Sequence, residues 1–171
     1  LIPRPSRRAI VLFVPLSLLA ACRTPDPKAE LELREMESYW AVDPSVGDTQ
    51  YLAPVVRFQL LNKAATSRSI QAMATFRRKG EGPAWSSAWF QASPMPDHSP
   101  LPVGRSVLVV LKPEGEGRYT FRGTPEEMLK HPEFKDVTAE VFARVGSSSW
   151  TRFAEVEVPR RLGSHAVDAY R

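Results

Sequence analysis

Proline is the residue that most constrains what this chain can fold into. Sixteen prolines occur among 171 residues. Many lie between apolar runs, several of them in clusters such as Thr24-Pro25-Asp26-Pro27, Pro94-Met95-Pro96 and Pro100-Leu101-Pro102. Proline has no amide hydrogen to donate, and its ring clashes with the preceding helical turn, so long helices are excluded across these clusters. The runs between them alternate apolar and polar residues with a period of two, which is the pattern of half-buried strands.

Val56, Phe58 and Leu60 share one face of the run 54–62, and Ile70, Ala72, Ala74 and Phe76 share one face of the next. Leu31 and Leu33 alternate with charge, and the pattern resumes at Met36, Ser38 and Trp40 with its phase shifted by one, which predicts a bulge. Asp43-Pro44-Ser45-Val46-Gly47-Asp48 is a turn cluster. Ser106–Leu111 is almost unbroken in its apolarity and is expected to be a central strand buried on both faces. A short strand is expected over Arg118–Phe121. Val137, Ala139, Val141, Ala143 and Val145 lead into Gly146-Ser147-Ser148-Ser149, and Trp150, Arg152, Ala154, Val156 and Val158 return as the second arm of a hairpin. Thr124-Pro125-Glu126-Glu127 carries the capping signals of one short helix, and His131-Pro132 stops it. The fold class this predicts is all-β: an antiparallel sandwich of seven or eight strands with one short helix.

The N-terminus is organised differently. Arg7 and Arg8 precede an apolar run, Ala20 and Ala21 follow it, and Cys22 is the only cysteine in the chain. The run has about 13 apolar residues and is interrupted by Pro15 and Ser17, whereas a membrane span needs roughly 20. Basic, apolar and small-residue regions in this order are the layout of an export signal. Leu19-Ala20-Ala21-Cys22 resembles the lipobox of bacterial lipoproteins. The resemblance implies a diacylglyceryl group on the Cys22 thiol, cleavage before Cys22 and acylation of the new N-terminus. Residues 1–21 are then a cleaved signal peptide, 22–30 a stiff tether reaching ~25 Å when extended, 31–158 the β-sandwich domain and 159–171 a flexible tail. Arg23 stands where lipoproteins retained at the inner membrane carry Asp, which implies an outer-membrane anchor facing the periplasm. Ser6-Arg7-Arg8 is similar to a twin-arginine export motif, but Ile10 and Leu12 replace its usual Phe and Lys, so the general secretion route is expected. Asn62 after a strand, Leu101-Pro102-Val103-Gly104 before another and the final hairpin resemble immunoglobulin/fibronectin-III-like modules of bacterial surface proteins, without the immunoglobulin cysteine pair.

Charge and residue chemistry narrow the function. Residues 1–21 hold Arg4, Arg7 and Arg8 and no acid, so their removal takes three of the 23 basic residues and leaves 20 against 19 acidic. No strongly basic face is expected, and nucleic acid is not an expected partner. An acylated Cys22 leaves no thiol for a disulfide, a metal or redox chemistry. His98, His131 and His165 stand in separate loop or tail contexts without metal-ligand spacing, and no nucleophile elbow occurs. No cofactor or metal is expected. Glu126 and Glu127 are adjacent on a helix and do not face each other, so they are read as capping and helix-dipole residues.

Trp40, Trp85, Trp89 and Trp150 admit two readings, core filling or an exposed recognition face. On the second, Trp85 and Trp89 line one exposed face with Asp97 and His98 at its rim, suited to gripping a protein or stacking on sugars. The expected function is a lipid-anchored, non-enzymatic binding module of the cell envelope acting by protein–protein contact. The rival is a glycan- or peptidoglycan-binding domain. An envelope hydrolase would require His98 or His131 to meet a carboxylate and a hydroxyl in one pocket.

Overall fold

The computed structural model describes residues 24–46, 49–92, 100–115 and 117–163. Among these residues eight strands form two antiparallel sheets. The first sheet contains β1 (Leu31–Val46), β2 (Thr49–Asn62) and β5 (Ser106–Leu111), and β6 (Tyr119–Phe121) extends it by pairing with β2. The second has the order β4 (Ser86–Ala92), β3 (Ile70–Arg78), β7 (Val137–Val145), β8 (Thr151–Val158). This is the expected all-β, sandwich-like arrangement.

The period-two patterns turn into burial directly. Val56, Phe58, Leu60, Ile70, Ala72, Ala74 and Phe76 are all fully buried, as are the odd-numbered residues of β7. Side chains alternate across a strand, so the inner faces of β2, β3 and β7 form one core, while the outer faces of β3 and β7 stay partly exposed. The phase slip in β1 is a register shift between Arg34 and Glu37 against β2, with Glu35 at φ 51°. A non-glycine residue in the left-handed region marks the extra residue that restores Trp40 to the inner face.

Four expectations are corrected. A second helical turn, α1 (Pro27–Glu30), occupies the end of the expected extended tether. The Asp26 carboxylate caps it by accepting from Lys28 N, Pro27 is buried, and Glu30 receives both Nε and Nη2 of Arg68 at 2.6 and 2.9 Å. The tail is not loose from residue 159. Trp40 N donates to Arg161 O at 2.9 Å and Gly163 N to Trp40 O at 3.0 Å, so residues 161–163 lie along the edge of β1. Residues 43–46 of the expected 43–48 turn are strand instead, because β1 keeps pairing as far as Val46 opposite Thr49. Finally, β5 is an edge strand with Leu108 44% exposed, not a central one. Its outer residue Val110 packs with Tyr39, Ala41 and Val55 on the outside of the first sheet, so apolarity on both faces came without a second neighbouring strand.

The expected helix is present as α2 (Pro125–Lys130) with its capping box complete: Glu127 N donates to Thr124 Oγ1 and Thr124 N to Glu127 Oε2. Asn62 is fully buried and fully used. Its Nδ2 donates to Leu101 O and Thr66 O, and its Oδ1 accepts from Ala64 N, which ties two loops to the end of β2.

Candidate functional site

The four tryptophans separate into two groups. Trp40 points inward from β1 and is fully buried. Its ring meets Phe134 edge-on at 4.8 Å and Tyr119 at 5.7 Å, and Tyr119 in turn lies 5.0 Å from Trp85. The Arg78 guanidinium is held between Trp85, at 4.1 Å, and Tyr119, at 4.7 Å. Burial raises the Tyr119 phenol above its ordinary value, so this ring stays neutral within its cluster. These contacts close one end of the sandwich. Trp85 therefore does not share an exposed face with Trp89. It lies just before β4, where the chain bends and turns its ring towards the core.

Trp89 is different. It sits on β4 opposite Met73, with Ala88 before it buried, so it projects from the outer face of the second sheet and is 66% exposed. The registers continue that row across the sheet as Met73, Phe142 and Arg152. Trp150 supports Trp89 from the side, with centroids 5.5 Å apart and planes at 77°. An edge-to-face pair of this kind contributes ~0.5–1.5 kcal/mol beyond the area it buries. Arg144 lies 4.7 Å over the Trp150 ring and donates its Nε to Gln71 Oε1 at 2.5 Å. Gln71, Arg144, Trp150 and Trp89 thus form one chain of contacts on a sheet surface.

The hairpin alternation in the sequence places Trp150 and Arg152 on the same face as Ala154 and Val156. A register shift between Val141 and Phe142 separates them: Val141 pairs with Ala154, but Phe142 pairs with Arg152. Phe153 is the additional residue, and it packs against the core. This bulge moves Arg152 and Trp150 to the outer face, which is how Trp150 reaches Trp89. The sequence carries no mark of it. Below the tryptophans the same face is laced with ion pairs: Arg77 Nε to Glu140 at 3.1 Å, Arg152 to Glu140 at 3.4 Å, and Arg152 to Glu155.

Asp97, His98, His165, Cys22 and the lipobox residues Leu19, Ala20 and Ala21 lie outside the described residues. His131 caps α2, and its Nδ1 accepts from Glu133 N. Among the described residues no group of three His, Cys, Asp or Glu side chains could hold a metal, and no helix is long and apolar enough to cross a membrane. An open cleft of about 400 Å³ runs between α2 and residues 160–162, with Leu129 and Leu162 as its apolar walls. Among the described residues that line it there is neither a histidine nor a hydroxyl. Its Arg160 is occupied structurally, on Asp136 Oδ1 and on the carbonyls of Phe134 and Leu129.

No family model, curated protein or solved structure matches the chain. The functional reading therefore rests on the residues themselves.

Proposed function

We propose that this protein is a lipid-anchored, non-enzymatic binding module of the cell envelope that works by contact. Acyl chains on Cys22 hold it to a membrane, expected to be the outer membrane on its periplasmic side, and the outer face of the second sheet is its recognition surface. The observation that carries the recognition part is Trp89, a large ring left 66% exposed on the edge strand β4 and packed against Trp150. Exposed aromatics with supported geometry are the usual anchors of recognition. The lipobox residues Leu19, Ala20, Ala21 and Cys22 support the anchor. Two or three chains are needed for stable attachment, since one alone binds marginally at ~0.8 kcal/mol per buried CH₂.

The docked helix α1 changes how such an anchor would hold the domain. Only the segment from Cys22 to Pro27 remains to bridge lipid and protein, and five residues span at most ~17 Å. The sandwich would then stand close to the bilayer with α1 towards it. Two occupants suit the recognition surface, a second envelope protein and a cell-wall glycan.

The anchor is tested by mass spectrometry of the native N-terminus and by fractionation of Cys22→Ser. Acylation at Cys22, and loss of membrane association in the variant, are the expected results. An unmodified Cys22 in a membrane-bound protein would refute the anchor. In-cell photocrosslinking from position 89 tests the surface. Crosslinks to an envelope component are expected, and none at any growth stage would remove that surface from the proposal.

A further inference from the structure

We infer that the outer face of the second sheet is a saccharide platform, on which Trp89 stacks against a pyranose ring from within a neutral, hydroxyl-rich polysaccharide chain. This rests on the binding-module reading above and specifies its ligand.

Three observations select that chemistry over a protein partner. The first concerns charge. Arg77 and Arg152 are matched by Glu140 and Glu155 within the face, and Arg144, the other cation of the face among the described residues, lies on Trp150 and bonds Gln71. The surface therefore offers little net charge with which to recruit a charged protein patch. The second is the size of the apolar centre. Met73 and Phe142 are half-buried, and among the described residues of this face Trp89 alone stands well clear of the sheet. A stable protein interface removes roughly 800 Å² from each partner around a desolvated apolar core. A single indole face is instead matched to one sugar ring, whose C–H bonds meet the negative face of the aromatic ring. The third is the placement of polar groups. The Gln71 carbonyl is taken by Arg144, while its amide Nε2 has no partner among the described residues and is left to donate to a sugar oxygen. Trp150, at 77° to Trp89, forms a second wall, so the pair makes an angled shelf. Among the described residues the shelf lies on an open sheet face, so it accepts the middle of a chain as readily as its end.

The test uses the full chain in detergent micelles, titrated with the hexamer of β-1,4-linked N-acetylglucosamine and followed by tryptophan fluorescence. A saturable change is expected. Trp89→Ala should weaken binding by at least ~10-fold while keeping a cooperative melting transition, and Trp89→Tyr, which keeps an aromatic face, should retain most of it. Gln71→Ala should weaken binding by a few-fold. No saturable change, or a change that persists in Trp89→Ala, overturns the saccharide platform. Crosslinking in cells separates this failure from failure of the wider reading. If the hexamer does not bind but position 89 crosslinks to one protein, the binding module stands with a protein ligand. If phospholipid vesicles shift the fluorescence and the hexamer does not, the ring faces the bilayer and the saccharide assignment is wrong. If nothing touches position 89, both proposals fall.

Discussion

Two clusters of rings, built from similar residues, do opposite things in this protein. At one end of the sandwich Trp40, Phe134, Tyr119 and Trp85 pack against one another and enclose Arg78. On the outer face of the second sheet Trp89 and Trp150 meet edge to face under Arg144, with much of Trp89 left in water. Both pair indoles with a guanidinium, so residue type does not distinguish them. What differs is the direction in which each strand points the ring, and that is decided by bulges and turns. The inner cluster is expected to hold the fold together, and the outer one to be free for recognition.

The sharpest way to break this comparison is Trp40→Ala. Removing a fully buried indole leaves a cavity and should cost ~3–5 kcal/mol, read from chemical denaturation. A loss near zero would show that the inner cluster is not structural. Gly117→Ala should be next. At φ +90° any side chain is strained, and a Cβ there would lie 2.1 Å from Ser86 Cβ, the residue following Trp85. Backbone strain and overpacking together should cost ~1–3 kcal/mol, visible as a lowered midpoint in the same denaturation series. Trp85→Ala should follow at ~1–2 kcal/mol, because the ring is half-buried and covers Arg78. If it left stability intact and abolished ligand binding, Trp85 would belong with Trp89 after all. Trp89→Ala itself should cost only ~0.5–1.5 kcal/mol, the worth of its edge-to-face contact with Trp150, and act chiefly on binding.

The smallest expected effect lies in α2, beside the inner cluster. A hydrogen bond from the Thr124 backbone holds the Glu127 carboxyl below the usual carboxylate range. A carboxylate whose value is depressed by folding contributes stability above its unfolded value, and that contribution is lost as pH falls through the folded one. The first turn of α2 should therefore stay capped at neutral pH and fray only in acid. Amide exchange at Thr124 and Glu127 measures this, and Glu127→Ala should remove the pH dependence. Fraying that is independent of pH would show that the capping box is not formed.

Much of the architecture was legible in the chain because a strand with one buried face must alternate. The runs at 54–62, 70–78 and 137–145 therefore declared both their existence and their inner residues. The bulge in β1 was legible too, as a phase slip between Leu33 and Met36. The bulge in β8 was not, because Trp150, Arg152, Ala154, Val156 and Val158 preserve an even spacing that satisfies the simpler reading. β5 misled in the opposite direction, since its apolar outer residue serves a small cluster on the outside of the first sheet. The docking of residues 27–30 and 161–163 depends on Arg68 and Trp40, which lie far away in sequence, and no local pattern encodes it.

By itself the sequence determined that the chain folds as two antiparallel sheets, because proline placement and period-two apolar runs allow little else. It also singled out four tryptophans as the residues in which recognition could lie. Only the tertiary structure decided which of them is available. One extra residue at a strand edge reverses the face of everything beyond it, and whether a strand accommodates that residue depends on the partner it pairs with.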